Sequence, residues 1–271
     1  MTRMDGSSLE GVSTTALWTL RSRALESRRP RGLIKDPWAE HIYDSIAFDY
    51  GVFGAPKQFH VLRALSFDRY TRQFLQKHPN GSVVALAEGF QTSFWRLTAD
   101  GQFKDARWYS IDLEPVMALR EKLLPGDSRL VNLAASALDR NWMDSVDDGP
   151  VLITAEGLLM YLPPAEALGL IADCAQRFPG AQMIFDSVPH RYSRQSLRGL
   201  KLSARYRVPP MPFSLSAEQA NDLSAEVRGV RSVNTMSLPA GRGLWRLCGY
   251  RILDRFEPFR SMGPAILTFD A

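Results

Sequence analysis

The sequence predicts an α/β fold: a doubly wound, mostly parallel, Rossmann-like sheet with helices ahead of it and a cap behind it. Three observations point there. From residue 82 onward, short apolar runs alternate with amphipathic helical segments, as repeated βαβ units require. The first run closes on a glycine-bearing bend and the second on an acidic residue. The chain has 271 residues, 45% of them hydrophobic, which suffices to bury one large core.

The first eighty residues read as helices. Thr15 to Glu26 forms one and Pro37 to Phe48 the next, with Asp36 as N-cap and Pro37 at the first helical position, where an N–H would be unpaired anyway. Gly51 to Pro56 breaks the pattern. From Gln58 to Lys77, Phe59, Leu62, Leu65 or Ser66, Tyr70 and Phe74 recur at helical spacing and give the helix an apolar side. Strands are expected at Ser82 to Ala87, Arg107 to Ile111, Ser128 to Leu133, Val151 to Ala155 and Ala181 to Asp186. Between them Gln91 to Ala99, Glu114 to Leu124 and Pro164 to Phe178 supply right-handed crossover helices. After Asp186 the alternation weakens. The expectations there are a helix from Pro189 to Tyr206, a turn at Pro209 to Pro212, a short helix from Ser216 to Leu223 and a last strand from Ala265 to Phe269. No repeat or low-complexity linker divides the chain, so it reads as one domain: a helical segment over 1–80, a ligand-binding core over 81–188, and a cap that completes the sheet over 189–271.

Composition narrows the function classes. No window approaches eighteen uninterrupted apolar residues and the start lacks the order of a secretion signal, so a cytoplasmic protein with no membrane partner is expected. Cys174 and Cys248 lie far apart in apolar helical contexts, which suits small buried thiols better than a disulfide. The histidines (His41, His60, His78, His190) include no i, i+4 pair, so no metal is assigned. A net charge of +4, carried by 27 arginines and 6 lysines, is too small an excess to make nucleic acid the expected partner.

In an open parallel sheet, ligands bind outside the carboxyl ends of the strands, near the point where strand order reverses. At the first such end stands Ala87-Glu88-Gly89-Phe90-Gln91-Thr92, a turn in which a small residue and a glycine let a ligand approach the backbone. The second strand ends in Asp112, 23 residues after Gly89. An acidic side chain there can accept both hydroxyls of a ribose, and it can equally cap the helix starting near Glu114. The third strand runs into Ala135-Ser136-Ala137-Leu138-Asp139 and the fourth into Glu156-Gly157. No GxGxxG is present, and Gly241-Arg242-Gly243 lacks both a third glycine and a preceding strand.

Taken together, the runs Val83-Val84-Ala85-Leu86-Ala87-Glu88-Gly89-Phe90-Gln91-Thr92, Ile111-Asp112-Leu113-Glu114-Pro115 and Ala155-Glu156-Gly157-Leu158-Leu159-Met160-Tyr161-Leu162 resemble the leucine carboxyl methyltransferase family, on its bacterial side near the tetracenomycin-type polyketide O-methyltransferases. Arg23-Ala24-Leu25-Glu26-Ser27-Arg28-Arg29-Pro30, followed by Asp36-Pro37, is similar to that family's N-terminal helices, and the resemblance spans roughly residues 15–190. It implies a seven-stranded methyltransferase sheet and S-adenosyl-L-methionine as cofactor. Residue by residue, it implies that Ala87, Glu88 and Gly89 approach the methionine part, Asp112 with Leu113 holds the ribose, Ser136 and Ala137 flank the adenine, and Glu156-Gly157 closes the floor. It also implies that Arg63, with Arg23 as a second partner, pairs with the cofactor carboxylate, a match of planar fork to carboxylate. Two positions depart from the family: Ala87 stands where glycine is more common, and Ser93 where an arginine is common.

The implied reaction is methyl transfer to a carboxylate or hydroxyl oxygen of a small-molecule acceptor, with a polyketide-like metabolite as the expected kind. A carboxylate needs no base; a phenol or alcohol gains from one, and His190 and Tyr192 are the candidates. Arg191, Arg194, Arg198, Lys201 and Arg205 recur at steps of three and four, which would array them on one helix face as a solvated surface or a dock for an acidic carrier protein. The alternatives are a nicotinamide-dependent oxidoreductase, an RNA methyltransferase, and a catalytically degenerate methyltransferase fold acting as an interaction protein.

Overall fold

The computed structural model describes residues 3–250 and 263–271; the side chain of Cys248 lies outside the described part. Seven strands form the central sheet: β1 (Ser82–Leu86), β2 (Arg107–Asp112), β3 (Leu130–Ala134), β4 (Val151–Ala155), β5 (Gln182–Phe185), β6 (Val230–Thr235) and β7 (Ala265–Phe269). Their order across the sheet is β6-β7-β5-β4-β1-β2-β3. β1 to β5 pair in parallel, and β7 runs antiparallel to both β5 and β6. The chain reverses its direction of travel between β1 and β4, and that is where a crevice opens.

Both faces of the sheet are covered, which explains why its central strands read as continuous apolar runs. Within β1, Val84 and Leu86 belong to the core that includes Ile171 and Leu223, while Val83 and Ala85 belong to the one that includes Phe67, Phe74 and Phe94. The period of two thus appears in packing although polarity does not reveal it.

Among the described residues eight α-helices surround the sheet: α1 (Thr14–Ser27), α2 (Pro37–Ser45), α3 (Gln58–Lys77), α4 (Ser93–Thr98), α5 (Glu114–Leu123), α6 (Pro164–Arg177), α7 (His190–Leu197) and α8 (Ala217–Glu226). α2 starts as its cap residue dictates: the Asp36 carboxylate accepts the N–H of Ala39 at 3.0 Å. α1 and α2 bury Leu17, Leu20 and Ile42 against Phe90 and against Val116 and Leu119 of α5, so the N-terminal helices lean on the turn that follows β1. Truncating one such fully buried leucine to alanine costs about 2–5 kcal/mol. Cys174 is a buried thiol of α6. Among the described residues no helix is long and apolar enough to cross a membrane.

Three expectations need correction. The helix expected over Pro37 to Phe48 stops at Ser45, because Ile46–Ala47 pairs in parallel with Met4–Asp5. The helix expected over Pro189 to Tyr206 stops at Leu197: Gly199 adopts φ +81°, its N–H bonds to the Ser196 carbonyl at 2.9 Å, and Leu200 N–H returns to Gln195 at 3.1 Å. Lys201–Ser203 then pairs antiparallel with Tyr206–Arg207, so Lys201 and Arg205 leave the helix and the five cations do not share one face. The strand β6 lay unrecognised in the C-terminal segment; Val230–Thr235 has only two apolar residues, Val230 and Val233, and is mostly exposed or half-buried.

Candidate active site

A cavity of about 850 Å³ opens at the carboxyl ends of the strands, beside the switch point. That volume lies at the upper end of the roughly 300–1,000 Å³ usual for small-molecule sites. Arg23, Arg63, Ala87, Glu88, Gly89, Asp112, Leu113, Ser136, Ala137, Glu156, Gly157 and Tyr192 all line it. His190 does not: it is exposed, its ring nitrogens engaged by Ser214 at 2.8 Å and Gln219 at 2.6 Å. Opening α7 just after Pro189 turns it toward the capping box of α8.

The turn after β1 is built by backbone geometry. Gly89 has φ +58°, and a Cβ there would stand 3.1 Å from the methyl group of Ala16. Ala87 also has positive φ, +49°, a region costly for any residue with a Cβ. Its substitution for glycine is therefore a conformational departure as well as a steric one. Asp112 faces the same bend: its carboxylate accepts the N–H of Gly89 at 2.6 Å and that of Leu113 at 2.7 Å. Burial raises its pKa, with those two N–H groups pulling the other way. Glu88 borders the cavity, yet its carboxylate is held by Arg120 at 2.7 Å and by the Trp108 indole at 3.3 Å. Burial pushes Glu88 upward against the pull of Arg120. Arg120 also donates to the carbonyls of Gly89 and Gln91, so this pair fixes the bend from beneath.

The opposite wall is a charged cluster. Arg63 Nε donates to Glu156 at 3.0 Å and Nη1 to Asp186 at 3.0 Å. Asp186 also accepts the Gly157 N–H at 2.6 Å, and Glu156 accepts from Gln91 at 2.7 Å. Burial disfavours the Arg63 charge, but Asp186 and Glu156 outweigh it and raise its pKa. Gly157 sits at φ +71°, and an added Cβ would lie 3.1 Å from the guanidinium. Arg23 is 1% exposed; it bonds the Phe90 carbonyl and lies 3.4 Å from Asp36. Burial lowers its pKa against the attraction of Asp36.

Ser93, the second departure, gains its charge from elsewhere. Its hydroxyl donates to Asp68 at 2.8 Å and accepts from Arg96 at 2.9 Å, and Arg96 also bridges Asp36 at 2.7 Å. A cation one turn along the helix thus occupies the neighbourhood in which the sequence lacks one.

At the far end Ser136 and Ala137 adjoin Leu113 and Leu138, large apolar side chains left 49% and 39% exposed. Apolar surface presented to a cavity in this way suits a flat ring. Among the cavity residues not singled out as site residues, Asp186, Gln91 and His60 carry polar side chains into its charged part. Asp186 was legible in principle, since it ends a strand as Asp112 does. Gln91 belongs to the bend after β1 and was legible by the same rule, whereas His60 reaches the site only through tertiary packing.

The sequence profile described as leucine carboxyl methyltransferase matches residues 16–175. A tetracenomycin polyketide synthesis O-methyltransferase of Streptomyces glaucescens is 30% identical over 227 residues, covering 82% of each chain. A Mycobacterium sp. (strain KMS) protein, assigned to the S-adenosyl-L-methionine-dependent methyltransferases, is 27% identical over 266 residues, 84% of this chain and 78% of its own. Among solved structures, a protein of Thermobifida fusca assigned as a methyltransferase superposes with a TM-score of 0.57 at 15% identity, covering 94% of both chains, a likeness of fold.

Proposed function

The chain belongs to the leucine carboxyl methyltransferase family, and from that membership we propose that it transfers a methyl group from S-adenosylmethionine to an oxygen of a small, polyketide-like metabolite. The observation that carries this reading is convergence: every cofactor position carried over from the family lines one cavity. The same reading takes residues 1–271 as one methyltransferase domain, with 81–188 as its cofactor-binding core.

The residues present fit the cofactor. Each Asp112 oxygen takes one backbone N–H and keeps a lone-pair site, so the carboxylate can still accept two ribose hydroxyls. Arg63 spends Nε and Nη1 on Glu156 and Asp186, while Nη2 has no partner among the described residues and can meet a carboxylate. Leu113 and Leu138, with Ser136 and Ala137, give the adenine end its apolar lining. Gly89 and Gly157 leave out the side chains that would crowd the space between.

Bound there, S-adenosylmethionine supplies a methyl group already activated by its sulfonium charge. The protein then has to orient the acceptor oxygen and exclude water, and orientation contributes roughly 7–11 kcal/mol in favourable cases. The rest of the cavity matches a carbon-rich acceptor, being walled by Trp18, Phe59, Tyr161, Leu202 and Met211. Tyr192 borders it too, and burial raises its pKa, which favours the protonated hydroxyl over the phenolate.

Titration with S-adenosylhomocysteine and, separately, with NADH tests the reading. Saturable binding of the first, accompanied by a raised melting temperature, is expected. Binding of NADH alone would move the chain to the oxidoreductases on a similar sheet.

A further inference from the structure

His60 lies on α3, one turn before Arg63, and borders the cavity while only 6% exposed. Its ring is held on two sides: Trp18 meets it edge-on at 4.7 Å, and Ser22 Oγ stands 3.1 Å from Nδ1. The surroundings of that hydroxyl assign the tautomer. Ser22 Oγ accepts the Lys57 N–H at 3.1 Å and donates to the Trp18 carbonyl four residues back at 3.3 Å, a usual bond for a helical serine. A hydroxyl has one proton and two lone pairs, so what it has left for the imidazole is a lone pair. Nδ1 therefore carries the hydrogen, and Nε2 presents a lone pair. No described residue bonds to Nε2.

We propose that His60 Nε2 accepts the proton of a hydroxyl acceptor, a phenol or enol of a flat aromatic metabolite, during methyl transfer. This deepens the O-methyltransferase reading and rests on it. In the step, the acceptor oxygen forms its bond to the methyl carbon. The carbon–sulfur bond breaks with its electron pair returning to sulfur, and the hydroxyl proton passes to Nε2. One positive charge leaves sulfur and one arrives on the imidazole, so the net charge of the site is unchanged.

The charged groups facing the ring are Arg23 from α1 and Arg63 and Lys57 at α3. With burial, they hold His60 well below the ordinary histidine value, so it is neutral and ready to accept at physiological pH. A weak base suffices, because a hydroxyl oxygen bonded to the incoming methyl group is strongly acidic. The low proton affinity also returns the proton to water and resets the ring. An acceptor nitrogen at this place is of use to a neutral hydroxyl and of none to an ionised carboxylate, and the cavity's carboxylates Glu88, Glu156 and Asp186 are already engaged by Arg120 and Arg63.

The test compares two acceptors, umbelliferone and its ring-difluorinated analogue, at a pH between their ionisations, so that the first is a neutral phenol and the second a phenolate. His60→Asn is expected to lower kcat on umbelliferone about 100-fold or more, the usual range for a lost general base. On the difluoro analogue it should change kcat by no more than about threefold. S-adenosylhomocysteine affinity should stay within about threefold of wild type. Ser22→Ala, a milder change that frees Nδ1, should lower umbelliferone turnover about tenfold with the same acceptor dependence, and it keeps the proposal testable if His60→Asn fails to fold. Equal losses on both acceptors, with cofactor affinity intact, would overturn the role of His60. So would a wild-type enzyme that binds S-adenosylhomocysteine and methylates naphthoic acid but neither coumarin, although O-methyl transfer would then stand. Failure of the wild type to bind S-adenosylhomocysteine would bring down the underlying reading itself.

Discussion

Arg63 in α3 and Asp186 at the end of β5 form a buried ion pair, Nη1 to Oδ2 at 3.0 Å, across 123 residues of chain. Glu156 at the end of β4 shares the same guanidinium, so one side chain from the N-terminal helices binds the carboxyl ends of two strands. Arg63→Met would leave two buried carboxylates without their cation, and removing one partner of such a pair costs about 3–5 kcal/mol. The expected outcome is a large fall in the chemical-denaturation midpoint together with loss of S-adenosylhomocysteine binding. Arg63→Lys should recover much of the stability and little of the affinity, because an ammonium cannot satisfy Glu156, Asp186 and a third carboxylate with one planar fork. Calorimetry on both variants separates the two effects.

Ala87 is expected to yield a stabilising substitution. It holds φ +49°, where a Cβ costs about 1 kcal/mol and glycine costs nothing sterically. Ala87→Gly should therefore raise stability by about 1 kcal/mol, less the extra entropy glycine has in the unfolded chain. A melting temperature higher by up to about 2–4 °C is the corresponding shift for a domain of this size. A melting temperature lower by several degrees would show that the left-handed turn carries no strain for alanine.

Sequence legibility followed burial. β4 and β7, together with α3, match their expected bounds residue for residue, since each is an apolar run or a long amphipathic period. β6 escaped notice because it is half-exposed and mixes Val230 and Val233 with Arg231, Ser232 and Asn234, so neither polarity nor burial marks it. The end of α7 hinged on Gly199 at positive φ, a local fact that the periodic arginines masked. In the site, residues at strand ends were readable by position: Gly89, Asp112, Glu156. His60 was not, because its meaning lies in Ser22 and Trp18 of another helix, which only packing brings to it.

Asp112→Asn should weaken S-adenosylhomocysteine by about 10- to 100-fold, the equivalent of about 1.5–3 kcal/mol for hydrogen bonds to a charged acceptor. The amide oxygen can still accept one backbone N–H, so the bend at Gly89 is expected to survive and the far-ultraviolet spectrum to stay the same. Isothermal titration is the measurement. Undiminished affinity would leave Asp112 as a helix-capping residue only.

Charge reversal at Arg194 of α7 and at Arg198, its C-cap, should leave the cavity untouched. Arg194 and Arg198 are exposed and neither borders the cavity. The double variant Arg194→Glu, Arg198→Glu is expected to bind S-adenosylhomocysteine within about twofold of wild type, since exposed charges this far out are screened at physiological salt. A tenfold change would mean that the helix couples to the pocket.

Acid should loosen the N-terminal helices first. Asp36 is fully buried and caps α2 while pairing with Arg96 at 2.7 Å. Burial opposes its charge, but Arg96 and Arg23 prevail and hold its carboxyl below the ordinary value. A carboxylate whose pKa is lower folded than unfolded stabilises the fold fully above the unfolded value, about pH 4, and that contribution drains as pH falls through the depressed folded value. Wild-type stability should thus decline below about pH 4 with a slope that Asp36→Asn makes shallower, at the cost of a lower plateau at neutral pH because two buried arginines each lose one carboxylate. Equilibrium urea unfolding of both proteins across that range, followed by fluorescence, checks it. Parallel pH profiles for wild type and Asp36→Asn would transfer the acid sensitivity to other carboxylates.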